Sequence, residues 1–150
     1  MTDRFAAFRH VSYQRYFLSR FLTSLSAQIV SVAVAWQIYD LTQNPALLGW
    51  IGLVQFLPAL LLVVVTGVAA DRLGRRNVMG TAVLFELACA GTILFLALTG
   101  GFKPILVLGV LTVFGVVRAF YTPASASLAV NLVPRKDFAN AVGWITSSWQ

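Results

Sequence analysis

Charge is scarce in this sequence: 11% of its 150 residues are Asp, Glu, Lys or Arg, less than half the share of about a quarter found in soluble domains. That excludes an ordinary water-facing globular surface. The single cysteine, Cys89, rules out an intrachain disulfide. With one histidine, five acidic residues and no cluster among them, the chain offers neither a metal site nor a nucleophile beside its base. An enzyme is therefore not expected, and no cofactor is implied. Strict alternation of polar and apolar residues is missing too, which excludes the strands of a membrane barrel.

What is present is long apolar sequence. Hydrophobic residues make up 59% of the chain and the mean hydropathy is +0.82. Arg20 and Asp40 enclose nineteen uncharged residues, Asp40 and Asp71 enclose thirty, and Glu86 and Lys103 enclose sixteen. About 20 apolar residues of helix cross a hydrocarbon core of about 30 Å, and backbone groups in lipid must be satisfied inside the segment. The sequence thus predicts an all-α membrane protein with spans near residues 17–39, 45–68, 77–99 and 104–128. A fifth apolar segment begins near Phe138 and reaches Gln150 too short to cross.

The basic residues set an orientation. Arg4, Arg9, Arg15 and Arg20 precede the first span, Arg72, Arg75 and Arg76 separate the second from the third, and Arg135 and Lys136 follow the fourth. Lys103 stands alone on the other side. The positive-inside bias places the N-terminus in the cytoplasm, in an inner (cytoplasmic) membrane. These positions also explain the net charge of +6 without nucleic acid as a partner. Trp36, Tyr39 and Trp50 flank the outer turn, while Tyr13, Tyr16 and Phe17 are expected as interfacial rings at the inner face. Asn44 and Pro45 read as N-cap and first residue of the second helix. Short connections predict antiparallel hairpins between consecutive helices.

The densest motif is the stretch GVAADRLGRR, Gly67 to Arg76. Gly74 permits a turn at positive φ and Gly67 a close backbone approach; Asp71 suits a helix N-terminus, and Arg72, Arg75 and Arg76 suit carboxylates or lipid phosphates. The stretch resembles the signature G-x-x-x-D-R-x-G-R-R of the major facilitator superfamily, at Gly67, Asp71, Arg72, Gly74, Arg75 and Arg76. Trp36 to Thr42, Pro45 to Gly49 and Arg118 to Pro123 are similar to the drug and siderophore exporter branch of enterobactin and macrolide exporters. The resemblance implies the first four helices and the start of a fifth from a twelve-helix fold, with a second half that this chain lacks. It further implies alternating access, a gating role for Asp71, a small-molecule substrate and protons as the coupling ion.

Two ionisable residues fall inside the spans. Glu86 lies about 13 Å and Arg118 about 15 Å from the basic face, counting 1.5 Å per residue. Either would cost about 2.5–3.5 kcal/mol facing lipid, so both should face the bundle, a cavity or each other. Ala82, Cys89 and Ala90 share the face of Glu86; Thr112, Gly115 and Thr122 share that of Arg118, predicting close helix contact. Two roles stay open for the pair: a static ion pair between the third and fourth helices, or a place in a transport pathway. Ser24, Gln28 and Ser31 form a polar stripe on the first helix, serving either interhelical bonding or the pathway wall.

Two functions compete: proton-driven efflux of small amphiphilic molecules, and a four-helix membrane module that binds or regulates a partner without transport. The charge asymmetry makes a first prediction. In a Cys89→Ala background, an impermeant thiol reagent added outside cells will label cysteines placed at 44 or 101 and spare one at 75. Labelling at 75 alone would invert the topology.

Overall fold

A computed structural model describes residues 10–131 and Trp144; side chains at 63, 64, 67, 68, 70, 71, 73 and 129–131 fall outside that description. The expected fifth segment from Phe138, and Arg4, Arg9, Arg135 and Lys136, lie outside the described residues.

Four helices account for nearly all of it: α1 Val11–Thr42, α2 Pro45–Leu73, α3 Arg75–Leu98 and α4 Pro104–Asn131. Each is long and apolar enough to cross a bilayer. At 32 residues α1 is about 48 Å long, well over the hydrocarbon thickness of about 30 Å, because it begins at Val11 rather than near Phe17. Their outward faces are apolar: Ile29, Val32, Trp36, Phe56, Leu61, Leu87 and Leu98 are all exposed. In water that would be a liability; in hydrocarbon it is the expected surface.

The connections follow from local chemistry. Gln43 turns left-handed at φ 49° and its N–H closes α1 onto the Tyr39 carbonyl. Asn44 then caps α2, its side chain accepting from the Ala46 N–H at 3.0 Å, and Pro45 supplies the first helical residue. Between α2 and α3 stands one residue, Gly74, at φ 83° and ψ 119°, where a side chain would be strained. Its carbonyl takes the N–H groups of Asn77 and Val78 at 3.0 and 3.1 Å. The reversal inside the Gly67–Arg76 stretch is thus a single residue, with helix on either side of it.

These turns make neighbours antiparallel, yet sequence neighbours are not the main packing partners. α4 packs broadly against both α2 and α3, whereas α1 meets α2, and α2 meets α3, over short stretches. The hairpin expectation holds for α3–α4 and gives way elsewhere. The reason sits at Gly115. A Cβ there would lie 2.7 Å from the Gln55 carbonyl oxygen, 2.8 Å from Gln55 Cα and 3.0 Å from the Val54 carbonyl oxygen. Pro58, inside α2, has no N–H to give the carbonyl four residues back, and that carbonyl is Val54. The backbone of α4 thus closes on the part of α2 that proline has opened, and Cα–H groups of glycine can serve the stranded oxygen.

Buried side chains form layers along the bundle. Val34, Ile38, Ile51, Ile93, Val107 and Leu111 fill the end carrying Lys103. Ala27, Cys89 and Phe114 make a middle layer. Tyr13, Tyr16, Met79, Ala82 and Tyr121 fill the arginine-bearing end. Tyr13 and Tyr16 are therefore core residues rather than the interfacial rings expected of them: both sit on the face of α1 turned to α3 and α4.

Gly115→Ala will destabilise the protein by about 1–3 kcal/mol, the cost of overpacking, because the obstructing atoms are backbone. Gly109→Ala, where a Cβ meets nothing within 4 Å, will be neutral or mildly stabilising. Unfolding in mixed micelles measures both, and equal effects would refute the contact.

Candidate functional site

Three stripes at helical spacing converge between the middle layer and the arginine-bearing end. On α1 they are Tyr13, Tyr16, Arg20, Thr23 and Ala27; on α3 Met79, Ala82, Glu86 and Cys89; on α4 Phe114, Arg118, Tyr121 and Ser125. The polar members meet in one seam closed by apolar layers on either side.

At its basic end the seam is tightly bonded. The Tyr16 hydroxyl donates to the Ser125 carbonyl at 2.6 Å and lies 3.1 Å from Ser125 Oγ. Arg20 Nη1 donates to Ser125 Oγ at 2.6 Å and to Tyr16 Oη at 3.0 Å. Arg20 and Ser125 are buried, and these bonds join α1 to α4 where those helices otherwise touch little. Arg75 adds a bond from α3, its Nη1 donating to the Ser127 carbonyl at 3.3 Å.

Deeper in, bonding stops. Glu86 is 7% exposed and, among the described residues, its Oε1 has no hydrogen-bond partner; the same holds for Arg118 Nη1 and the Tyr121 hydroxyl. Glu86 and Arg118 are within electrostatic reach of each other across the α3–α4 interface but make no ion pair. The static ion pair weighed above is not formed. Instead the Arg118 guanidinium rests 5.9 Å from the Phe114 ring centroid, a distance at which a cation is still attracted to the ring face. Tyr121 stands near Thr23 and Ser125 and within electrostatic reach of Glu86 and Arg20. Tyr121 thus stands between the bonded and unbonded parts of the seam.

The other expected residues are dispersed. Ser31 donates to Gln55 Oε1 at 3.3 Å, tying α1 to α2. Ser24 is half-buried and Gln28 exposed, Gln28 lining a shallow groove with Ile29, Val32 and Trp36; the stripe does not act as one wall. Ala82 and Cys89 are buried beside Glu86 and Ala90 partly so. Of the small residues expected beside Arg118, only Gly115 makes a close contact, and that is with α2. Thr112 and Thr122 are exposed and bond back to the Leu108 and Arg118 carbonyls of their own helix.

In the signature stretch Gly67 and Asp71 lie within α2, and Asp71 falls in its last turn rather than at an N-terminus. Arg72 and Arg76 are exposed, flanking Gly74. Sequence reasoning missed Arg20, Tyr16, Tyr121 and Ser125. Their i, i+4 spacing, Tyr16 to Arg20 and Tyr121 to Ser125, was the available signal.

A four-helix membrane bundle with a glycine reversal between arginines and buried charge at mid-depth is the first part of a major facilitator fold. The family described as transmembrane secretion effector, within that superfamily, matches residues 2–148, and the chain belongs to it. It is 24% identical over 137 residues to YkuC of Bacillus subtilis (strain 168), named an uncharacterized MFS-type transporter, covering 91% of this chain and 31% of that protein. It is 29% identical over 127 residues to MdtD of Shigella flexneri serotype 5b (strain 8401), a protein named for multidrug resistance, covering 84% of this chain and 26% of that one. The chain spans about a third or less of these relatives' length. No solved structure matches.

The seam's bonds predict a graded response. Tyr16→Phe will cost about 0.5–1.5 kcal/mol, one hydrogen bond's net worth. Ser125→Ala will cost more, about 1.5–3 kcal/mol, because it strips an acceptor from a buried guanidinium. Thermal unfolding in detergent checks the order; the reverse order would refute it.

Proposed function

We propose that these helices belong to a secondary transporter that expels small amphiphilic molecules, drugs or siderophores, by alternating access in exchange for protons. Membership of a transporter family supports transport, and the name of the Shigella relative favours drug-like substrates. The observation that carries proton coupling is the pair Glu86 and Arg118: two opposite charges at mid-depth on packed helices, the first buried and the second half-buried, with a buried acceptor and a buried donor atom unpartnered among the described residues. Charges in a membrane interior are costly and persist where they work. A pair that is close without contact can change its geometry with protonation.

In this reading the arginine-bearing end faces the cytoplasm of a cell whose inner membrane the chain crosses, and the remaining wall of the pathway comes from further helices. Asp71, at the end of α2 beside the Gly74 reversal, answers to those helices as a gate. Charge at a helix end is worth about 0.3–1 kcal/mol, up to about 2 when partly buried, enough to bias two conformations several-fold. Gln28, exposed on α1, and Ser24, half-buried there, remain candidates for the pathway wall.

The test uses the full product of the gene in inside-out vesicles. Imposing a pH gradient will drive accumulation of an amphiphilic dye. Combining Glu86→Gln with Arg118→Met will leave a folded protein, since neither charge leaves a direct partner behind, yet reduce gradient-driven accumulation to background. Wild-type accumulation by the double variant would reject a role for the pair.

A further inference from the structure

We propose that a groove between α3 and α4 seats an acyl chain of an anionic phospholipid, whose phosphate meets Arg75 at the basic end. The proposal goes beyond transport, since it concerns a lipid the protein holds rather than a molecule it moves.

The first observation is the lining. A cavity of about 360 Å³ lies between the two helices, walled by Val78, Ala82 and Phe85 of α3 and by Val113, Val117 and Phe120 of α4, a different face of α4 from Arg118 and Ser125. Val78 and Ala82 are buried at its floor, whereas Phe85 and Val113 are exposed at its rim. The groove therefore opens outward from the bundle. The Thr81 hydroxyl beside it bonds to the Asn77 and Val78 carbonyls of its own helix at 3.0 and 3.1 Å. What the lining offers is methyl groups and rings, which suit a hydrocarbon chain.

The second observation is depth. Arg75 opens α3, and at 1.5 Å per residue Val78 lies about 4.5 Å and Phe85 about 15 Å farther along it. The groove thus runs from the level of the arginines to about the middle of a hydrocarbon core of about 30 Å. That is the reach of one leaflet. A further membrane-spanning helix would call for a seat along the whole thickness, and this one stops halfway.

The third observation is charge. Arg75 lies one turn before Val78, and Ser127 two turns beyond Phe120, so the bond from Arg75 Nη1 to the Ser127 carbonyl at 3.3 Å crosses from α3 to α4 just past the groove's basic end. It holds a half-buried guanidinium where the headgroup of a chain lying in the groove would emerge. The planar fork of a guanidinium matches a phosphate in a way an ammonium does not, and basic side chains beside a leaflet favour anionic lipid.

The test places the full-length protein in phosphatidylcholine vesicles containing a trace of phosphatidylglycerol, or of phosphatidylcholine, with a photoreactive diazirine in mid-chain. Adducts are located by mass spectrometry. Phe85 and Val113 are expected to be labelled several times more by the phosphatidylglycerol probe, while Leu98, exposed on α3 near the opposite membrane face, takes both probes equally. Arg75→Gln is expected to lower the groove's preference about fivefold, the equivalent of the roughly 1 kcal/mol that one arginine contributes at an anionic surface. Val113→Phe, at the exposed rim, narrows the groove without touching Arg75 and is expected to abolish labelling at Phe85 by either probe. Labelled Leu98 with an unlabelled groove would overturn the proposal in favour of further helices covering it. Equal labelling by the two probes would leave only ordinary bilayer contact, and an unchanged preference in Arg75→Gln or persistent labelling in Val113→Phe would reject the site.

Discussion

Hydrocarbon gives no hydrogen bond to a carbonyl that has lost its own, and Pro58 strands one such carbonyl, at Val54, in the middle of α2. Gly115 answers it by letting the α4 backbone come within contact distance. The rotation of α4 follows from this one approach. With Gly115 against α2, the stripe Phe114, Arg118, Tyr121 and Ser125 is turned toward α1 and α3. Shift that contact and the buried charges would present a different face.

The seam depends on the same economy of polar groups. Its basic end is saturated: Tyr16, Arg20 and Ser125 share bonds across two helices. Its deep end keeps donors and acceptors near one another and unjoined. In a fold that satisfies nearly all buried polar atoms, an unsatisfied group marks either strain or work. Three such groups, on Glu86, Arg118 and Tyr121, lie on two packed helices, with Glu86 within electrostatic reach of the other two.

Much of this was legible in the residues themselves. The four helices followed from run length and charge spacing, the start of α2 from Asn44 and Pro45, and the positive φ of Gly74 from its place between two apolar spans. Glu86 sharing a buried face with Ala82 and Cys89 followed from helical spacing alone. Partner choice did not follow, because α2 is apolar around its whole circumference and its pattern names no preferred face. That α4 rather than α1 or α3 claims it depends on shape at Gly115. Tyr16 looked interfacial because an amphipathic ring near a span's end suits both a headgroup and a core. What decides between them is Ser125, more than a hundred positions along the chain.

The reversal at Gly74 leaves α2 and α3 joined by one residue and touching only over a short stretch, while each packs broadly against α4. A carpenter would see a triangle: two rafters pinned at an apex and a brace nailed to both. Pinned alone, the rafters would fold or spread, since a single residue offers two free torsions. The brace removes that freedom, so a push delivered at the apex cannot spend itself in bending the joint. It must turn the whole frame.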